Sequence, residues 1–134
     1  MAMKPLSDLE RYILMSLAKA MQDEERANLS RDIEQVYVEE RSGRFDSVIF
    51  GIRGYDRPPY EGQKPYSAEA AIRDSDGADL WAIAYMDQNR RLLELEIIRW
   101  DEKEIIQPDP SSLAVSINGG DPEPITPKRN SQVE

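Results

Sequence analysis

The chain has 134 residues and is strongly acidic, with 26 aspartate and glutamate residues against 17 lysine and arginine residues and a net charge of −9. This length corresponds to one domain with its own core. The charge argues against nucleic acid and anionic membranes as partners, because both would repel it, and favours a basic protein partner. The absence of cysteine and histidine excludes disulfides, thiol nucleophiles, zinc sites built on these residues and histidine-based triads.

No targeting or membrane segment is visible in the sequence. The first residues, MAMKPLSDLERY, lack the apolar stretch of a signal peptide, and no apolar run approaches about 18 residues. We therefore expect a cytoplasmic protein without a membrane anchor. No motif for a cofactor or a metal is present either, so none is expected.

Two helices are predicted at the N-terminal end. Ser7 and Glu10 have the spacing of a capping box, and apolar residues then recur at i, i+3 and i+4. This pattern predicts a helix from about Asp8 to Gln22. A second, weaker pattern predicts a helix from about Glu24 to Glu34.

Strand patterns follow the helices. Five segments of high β-propensity are separated by turn residues, near residues 36–38, 45–52, 69–74, 80–86 and 93–98. The segment 80–86 is apolar on both sides, which is typical of a central strand covered on both faces. The sequence predicts an α+β fold in which two helices pack on one face of an antiparallel sheet of about five strands. The simplest topology is a meander of consecutive strands.

A long loop is predicted between the second and third strands. Residues 53–67 contain prolines, glycines and tyrosines that preclude a regular element. Tyrosine is enriched at binding hot spots, so Tyr55, Tyr60 and Tyr66 are candidate anchors for a partner. They could equally pack the loop onto the edge of the sheet.

The composition changes again after residue 107, where prolines accumulate. We predict a single domain over residues 1–107 and a proline-rich tail over residues 108–134. Residues 113–117 have the pattern of a short edge strand, and the chain from about Asn118 is predicted to be disordered.

Two carboxylates lie within the fifth predicted strand. Glu94 and Glu96 would project from the same face, roughly 6.5–7 Å apart at the backbone. That spacing suits paired carboxylates for glycoside hydrolysis or metal ligation. The alternative is a solvent-facing pair that forms ion pairs with Arg73, Arg91 or Arg99.

A second group of acidic residues surrounds a predicted turn. Asp74, Asp76 and Asp79 resemble a calcium loop only loosely, because the fifth acidic position and the glutamate at position twelve are missing. They are therefore interpreted as a negative rim beside the hairpin.

These features together resemble a known kind of protein. Two N-terminal helices, a strand pair near residues 36–52, the Asp-x-Asp-Gly turn and a closing hairpin that ends LLELEIIRWD are similar to small bacterial proteins of immunity type or to uncharacterised relatives of them. The resemblance covers about residues 9–106. It implies a protein that binds and neutralises the toxin domain of a contact-dependent or polymorphic toxin system.

We therefore expect a non-catalytic acidic binding protein with a basic protein as its partner. The expected contact residues are Asp74, Asp76, Asp79, Glu94, Glu96, Tyr55, Tyr60 and Tyr66. The alternative is a small hydrolase or metal-dependent enzyme that uses Glu94 and Glu96, which requires a concave pocket around those two side chains.

Overall fold

A computed structural model of the chain describes residues 3–124. Two helices precede seven strands, in the order α1 (Asp8–Ala20), α2 (Asp23–Ile33), β1 (Val36–Ser42), β2 (Ser47–Ile52), β3 (Lys64–Arg73), β4 (Asp79–Met86), β5 (Leu92–Arg99), β6 (Asp109–Ile117) and β7 (Glu123–Pro124).

The predicted capping box opens α1. The Ser7 N–H donates to the Glu10 carboxylate at 2.8 Å, and the Glu10 N–H donates to the Ser7 hydroxyl at 3.1 Å. Both helices occur within two residues of their predicted bounds. Neither is long and apolar enough to cross a membrane, and no other helix lies within residues 3–124.

The strands form one antiparallel sheet in the order β1-β2-β5-β4-β3-β6-β7. The α+β class is confirmed, but the prediction of about five strands is wrong, because β6 and β7 extend the sheet beyond β3. The meander holds only for β3, β4 and β5. β2 does not pair with β3, the next strand in the chain, but with β5. The loop after β2 crosses the end of the sheet past β5 and β4 before β3 begins.

The sixth strand is an integral part of the sheet. Its register places Val115 opposite Ala70, and Leu113 and Val115 are buried in the core. The predicted edge strand at residues 113–117 falls within β6, so the predicted domain boundary at residue 107 precedes a strand of the same sheet. Residues 118–124, for which disorder was predicted, include β7, and residues 125–134 lie outside the described part of the chain.

The third strand begins five residues earlier than predicted, at Lys64, and includes Pro65. Pairing with β6 begins only at Ala68, so β3 has one neighbour, β4, at the position of Pro65. A proline is tolerated there because its missing N–H removes no bond to a second neighbour.

Both helices pack on one face of the sheet. α1 contacts β3 and β6, and α2 contacts β5. On that face β4 contributes Leu80, Ala82 and Ala84, which are buried. β4 is the central strand, as predicted, but among residues 3–124 no helix covers its other face. The prediction that both faces are covered is therefore wrong.

Candidate functional site

The second face of the sheet, on which no helix of residues 3–124 packs, combines acidic and large apolar side chains. Alternation along the strands directs half-buried residues to it, and eight of those on β2 to β5 are acidic or large and apolar: Ile49 of β2, Glu69 of β3, Trp81, Ile83 and Tyr85 of β4, and Glu94, Glu96 and Ile98 of β5. We call this set the acidic aromatic face. The prediction that Glu94 and Glu96 project from the same face of β5 is confirmed. The outward side chains of β4 lie on that face of the sheet too.

The strand register sets the spacing of the carboxylates. Ile83 lies between Glu96 of β5 and Glu69 of β3 in one row across the sheet. Because neighbouring strands are about 4.8 Å apart, the backbones of these two glutamates are about 10 Å apart. Glu94 lies in the next row, opposite Tyr85.

Neutral donors hold all three carboxylates of the face. The bonds are Trp81 Nε1–H to Glu69 Oε1 at 2.7 Å, Tyr85 Oη–H to Glu96 Oε1 at 3.0 Å, and Gln63 Nε2–H to Glu94 Oε1 at 3.0 Å. Within residues 3–124, no lysine or arginine forms an ion pair with any of the three. Their negative charge is therefore not neutralised inside the described part of the protein.

The expected ion pairs of Glu94 and Glu96 with arginine are not formed. The Arg91 guanidinium instead pairs with Asp32 at 3.0 Å, and that of Arg99 pairs with Asp74 at 2.7 Å. These two cations lie on the side of the sheet that carries the helices or at its end, so they leave the acidic aromatic face unpaired.

Burial and three nearby carboxylates shift the pKa of Tyr85, at the centre of the face. Burial raises the pKa of Tyr85, and the hydrogen bond to Glu96 and the charges of Glu96, Glu94 and Glu69 raise it further, to about 12. Three carboxylates therefore act together on one aromatic side chain, which is the electrostatic signature of a surface that attracts cations.

Two of the three predicted rim residues, Asp74 and Asp76, form ion pairs with Arg99. Arg99, with 5% of its side chain exposed, lies among three carboxylates: Asp74 at 2.7 Å, Asp76 at 2.7 Å and Asp101 at 2.8 Å. Asp79 is exposed and forms no ion pair within residues 3–124. Of the three rim residues, only Asp79 presents its charge freely to solvent.

Asp74 also holds the connection between β5 and β6. Its carboxylate accepts the backbone N–H groups of Ile106 at 2.8 Å and Gln107 at 2.7 Å. Burial raises the pKa of Asp74, but these bonds, the N–H of Ser75 and the Arg99 guanidinium outweigh burial, so the pKa is lowered. The residue stabilises the fold only while it is ionised.

Stability should therefore depend on pH only in the acid range. The pKa values of Glu10, Asp74 and Asp87 are lowered in the folded state. Their contribution is present above the unfolded values near 4 and is lost as the pH falls through the folded values. With no histidine or cysteine, no side chain has an ordinary pKa between about 5 and 8.

We expect thermal melting followed by circular dichroism to give a constant midpoint from pH 8 to pH 6 and a falling one below about pH 4. A midpoint that moves by several degrees between pH 8 and pH 6 would contradict this.

The three candidate tyrosines have different environments. Tyr55 is tied to the β4–β5 turn, because its hydroxyl donates to Asp87 at 2.6 Å and the Arg91 guanidinium lies 4.3 Å from its ring centre. Tyr60 is 68% exposed on the long loop, whereas Tyr66 is 4% exposed and belongs to the core. Only Tyr60 is free to serve as an anchor in this conformation.

Arg57 is a residue whose role sequence reasoning missed. β2 and β5 pair over only three positions, and beyond them the Arg57 guanidinium donates to the carbonyls of Phe50 at 2.7 Å and Leu92 at 2.9 Å. It also pairs with Asp87 at 2.8 Å. The loop is thereby fixed beside the face to which it contributes Gln63. No local pattern marks this role, since the partners are distant in sequence.

Glu69, Trp81, Ile83 and Tyr85 were also not identified as site residues from sequence. A signal for the β4 residues was present, namely the large apolar side chains on the second side of the strand. This signal by itself predicts burial under another layer, and Glu69 has no local signal because its role depends on register.

Glu94 and Glu96 line none of the five principal clefts in the described part of the chain. Five clefts of about 160 to 440 Å³ in the described part of the chain are lined by other residues. No group of three or more acidic side chains within residues 3–124 is arranged to hold a metal ion. Glu94 and Glu96 are half-buried side chains on one face of β5, outside these clefts.

Fold and face together define an acidic α+β protein with a helical layer on one side of its sheet and a charged second side on which no described helix packs. The family described as Domain of unknown function (DUF6984) matches residues 3–109, most of the chain. The protein therefore belongs to the DUF6984 family. The match ends at the first residue of β6. Comparison with curated proteins and with solved structures gave no match.

Proposed function

We propose that this protein is a non-catalytic binding protein that docks a basic protein partner on its acidic aromatic face. The observation that carries the proposal is the set of three half-buried carboxylates, Glu69, Glu94 and Glu96, held by neutral donors and lacking a cationic partner in the described structure. A basic partner would neutralise them, and complementary charge accelerates such an encounter.

The apolar residues of the face suit the same role. Trp81 and Tyr85 lie at its centre, beside Ile83 and Ile98. Aromatic residues surrounded by polar groups are typical of binding hot spots, because they exclude water while the polar rim sets specificity. The net charge of −9 extends the attraction over the whole molecule.

The most specific form of the proposal is an immunity protein for a bacterial toxin. Its support is the resemblance of the helices, the Asp-x-Asp-Gly turn and the closing hairpin to immunity-type proteins, together with the acidic charge. Inhibition would follow from occlusion of a basic surface on the toxin, with no chemistry by this protein. The partner expected in that case is the product of the gene that precedes its own.

The position of Glu94 and Glu96 outside the principal clefts supports binding over hydrolysis. An enzyme that uses Glu94 and Glu96 needs a concave site that holds its substrate between them. The clefts described above are lined by other residues. A charged sheet face outside the principal clefts favours a macromolecular partner over a small substrate.

The test is a comparison of partner binding between the wild type and the variant Glu94→Gln/Glu96→Gln. Tagged protein would be used to capture a partner from the native host, and the captured partner would then be purified and titrated by calorimetry. We expect the variant to raise Kd by about 10- to 100-fold, because two charge-assisted contacts are lost. Glutamine retains an acceptor oxygen for Gln63 and Tyr85, so the fold should persist.

The control is Glu24→Gln/Glu34→Gln, which changes the net charge equally on the helical side of the sheet. Its Kd should stay within about twofold of the wild type, since distant exposed charges contribute little. Equal loss in both variants would show that only total charge matters. Failure to bind the product of the preceding gene at micromolar concentration would exclude the immunity form.

A further inference from the structure

The centre of the acidic aromatic face has a four-sided arrangement. Ile83 is flanked across the sheet by Glu69 on β3 and Glu96 on β5, and along its own strand by Trp81 and Tyr85. Charged and aromatic side chains therefore alternate around one aliphatic residue. We call these five residues the Ile83 frame.

The two aromatic side chains lean towards Ile83 from opposite ends. Trp81 lies opposite Ala71, yet its Nε1–H reaches Glu69, two residues along β3. Tyr85 lies opposite Glu94, yet its hydroxyl reaches Glu96, two residues along β5. Both bonds are therefore diagonal and end in the row of Ile83. Diagonal pairs of this kind are within reach of aromatic side chains.

Each carboxylate of the frame keeps one oxygen for a ligand. Oε1 of Glu69 and Oε1 of Glu96 accept the bonds from Trp81 and Tyr85. Within residues 3–124, no donor is bonded to the Oε2 atom of either residue, and no cation pairs with them. The bound oxygen fixes the orientation of the carboxylate, while the second oxygen stays available.

We propose that the Ile83 frame is a recognition site for one arginine side chain of the protein partner. The apolar part of the arginine would lie on Ile83, and its guanidinium would bond the free oxygens of Glu69 and Glu96 between the rings of Trp81 and Tyr85. This inference rests on the proposed docking function and assigns its central contact.

Arginine fits this frame better than lysine. A guanidinium is planar, stacks on aromatic rings and carries five N–H donors, enough to bond a carboxylate on each side. An ammonium is compact and strongly hydrated, and it offers three donors at one point. Two carboxylates whose backbones are about 10 Å apart across the sheet are therefore bridged more readily by the wider group.

The experiment is an NMR titration of the ¹⁵N-labelled full chain with two blocked peptides, acetyl-Gly-Arg-Gly-amide and acetyl-Gly-Lys-Gly-amide. The indole N–H of Trp81 is the reporter, because it is bonded to Glu69. The variant Trp100→Phe assigns the signal, since the chain has two tryptophans. We expect a saturable shift of that signal with a millimolar Kd for the arginine peptide and a Kd about three to five times higher for lysine.

The variant Glu69→Gln/Glu96→Gln should weaken arginine binding at least about fivefold, whereas Glu24→Gln/Glu34→Gln should leave it unchanged. Glutamine still accepts the bonds from Trp81 and Tyr85, and an unchanged indole shift without peptide would verify the frame. No saturable shift, equal Kd values for the two peptides, or an unaffected Glu69→Gln/Glu96→Gln variant would each overturn the proposal.

The outcomes separate this inference from the function on which it rests. A negative peptide titration, with partner binding that depends on Glu94 and Glu96, would overturn the arginine site alone. A positive titration without any specific protein partner would overturn the docking function and leave a cation site. Failure of both the peptide titration and the search for a protein partner would overturn the arginine site and the docking function together.

Discussion

Replacement of Val115 by aspartate is expected to abolish the folded state at 25 °C. Val115 is 4% exposed on β6 and packs in the core opposite Ala70. The change loses about 2 kcal/mol of apolar burial and adds a buried, unpaired charge that costs several kcal/mol more. Small domains have only about 5–15 kcal/mol in total. Circular dichroism and size-exclusion chromatography should show a chain without a cooperative thermal transition.

The matched control is Ala114→Asp on the same strand. Ala114 is half-buried and lies on the opposite side of β6, so the new carboxylate can reach solvent. We expect a loss of about 1 kcal/mol or less in the free energy of unfolding.

Deletion of the chain from residue 108 onward should unfold the protein as Val115→Asp does. A folded product of that deletion would show that β6 is dispensable and that the domain ends at residue 107.

The second large effect is expected for Asp74→Ala, which should lower the free energy of unfolding by about 3 kcal/mol. The change leaves the N–H groups of Ile106 and Gln107 without their acceptor and removes one carboxylate from Arg99. A fully buried donor without an acceptor costs about 1–3 kcal/mol, and these two part-buried N–H groups should each cost about 1 kcal/mol. Urea unfolding at pH 7 measures the difference in free energy of unfolding between the variant and the wild type. This difference should shrink as the pH falls below about 4, because Asp74 of the unfolded wild type is protonated there.

Asp79→Ala is the control for this prediction. It removes the same group from the same predicted acidic rim, but Asp79 is exposed and forms no ion pair within the described residues. Its stability should stay within about 0.5 kcal/mol of the wild type. Equal effects of the two replacements would mean that Asp74 acts only through the net charge of the cluster.

The long loop shows how fold and site depend on each other. Arg57 inserts its guanidinium where β2 and β5 diverge, and the same loop delivers Gln63 to Glu94. The crossing of this loop over the ends of β5 and β4 is also what replaces the predicted meander. One connection therefore determines both the strand order and the position of a donor on the face.

Tyr66 lies in the core and not on the loop in which its neighbours in sequence predict it. Its neighbours, proline and glycine, placed it in a loop and suggested an exposed anchor. In the structure Tyr66 lies on β3 with its side chain in the core, and burial raises its pKa. Whether a tyrosine near a proline is paired into a strand depends on which strand lies beside it, and that neighbour, β4, follows later in the chain.

Local signals determined much of this protein from sequence. The capping box of Ser7 and Glu10, the helix periodicity and the alternation in β4 and β5 act between residues close in the chain, and each appears where it was predicted. The placement of Glu94 and Glu96 on one face of a strand has the same origin, because side-chain direction alternates with a period of two. Composition alone also established the acidic charge and the absence of histidine and cysteine chemistry.

Only the tertiary structure decided which strands are neighbours, and with that the candidate site. The inclusion of β6, the capture of Asp74 by Arg99 and the row of Glu69, Ile83 and Glu96 all depend on register between segments distant in sequence. Register is set by how all the apolar faces pack at once, so no single segment carries it. The same argument explains the uncovered face: whether an apolar side of β4 is buried depends on the number of helices available to cover it, and both described helices pack on the other side.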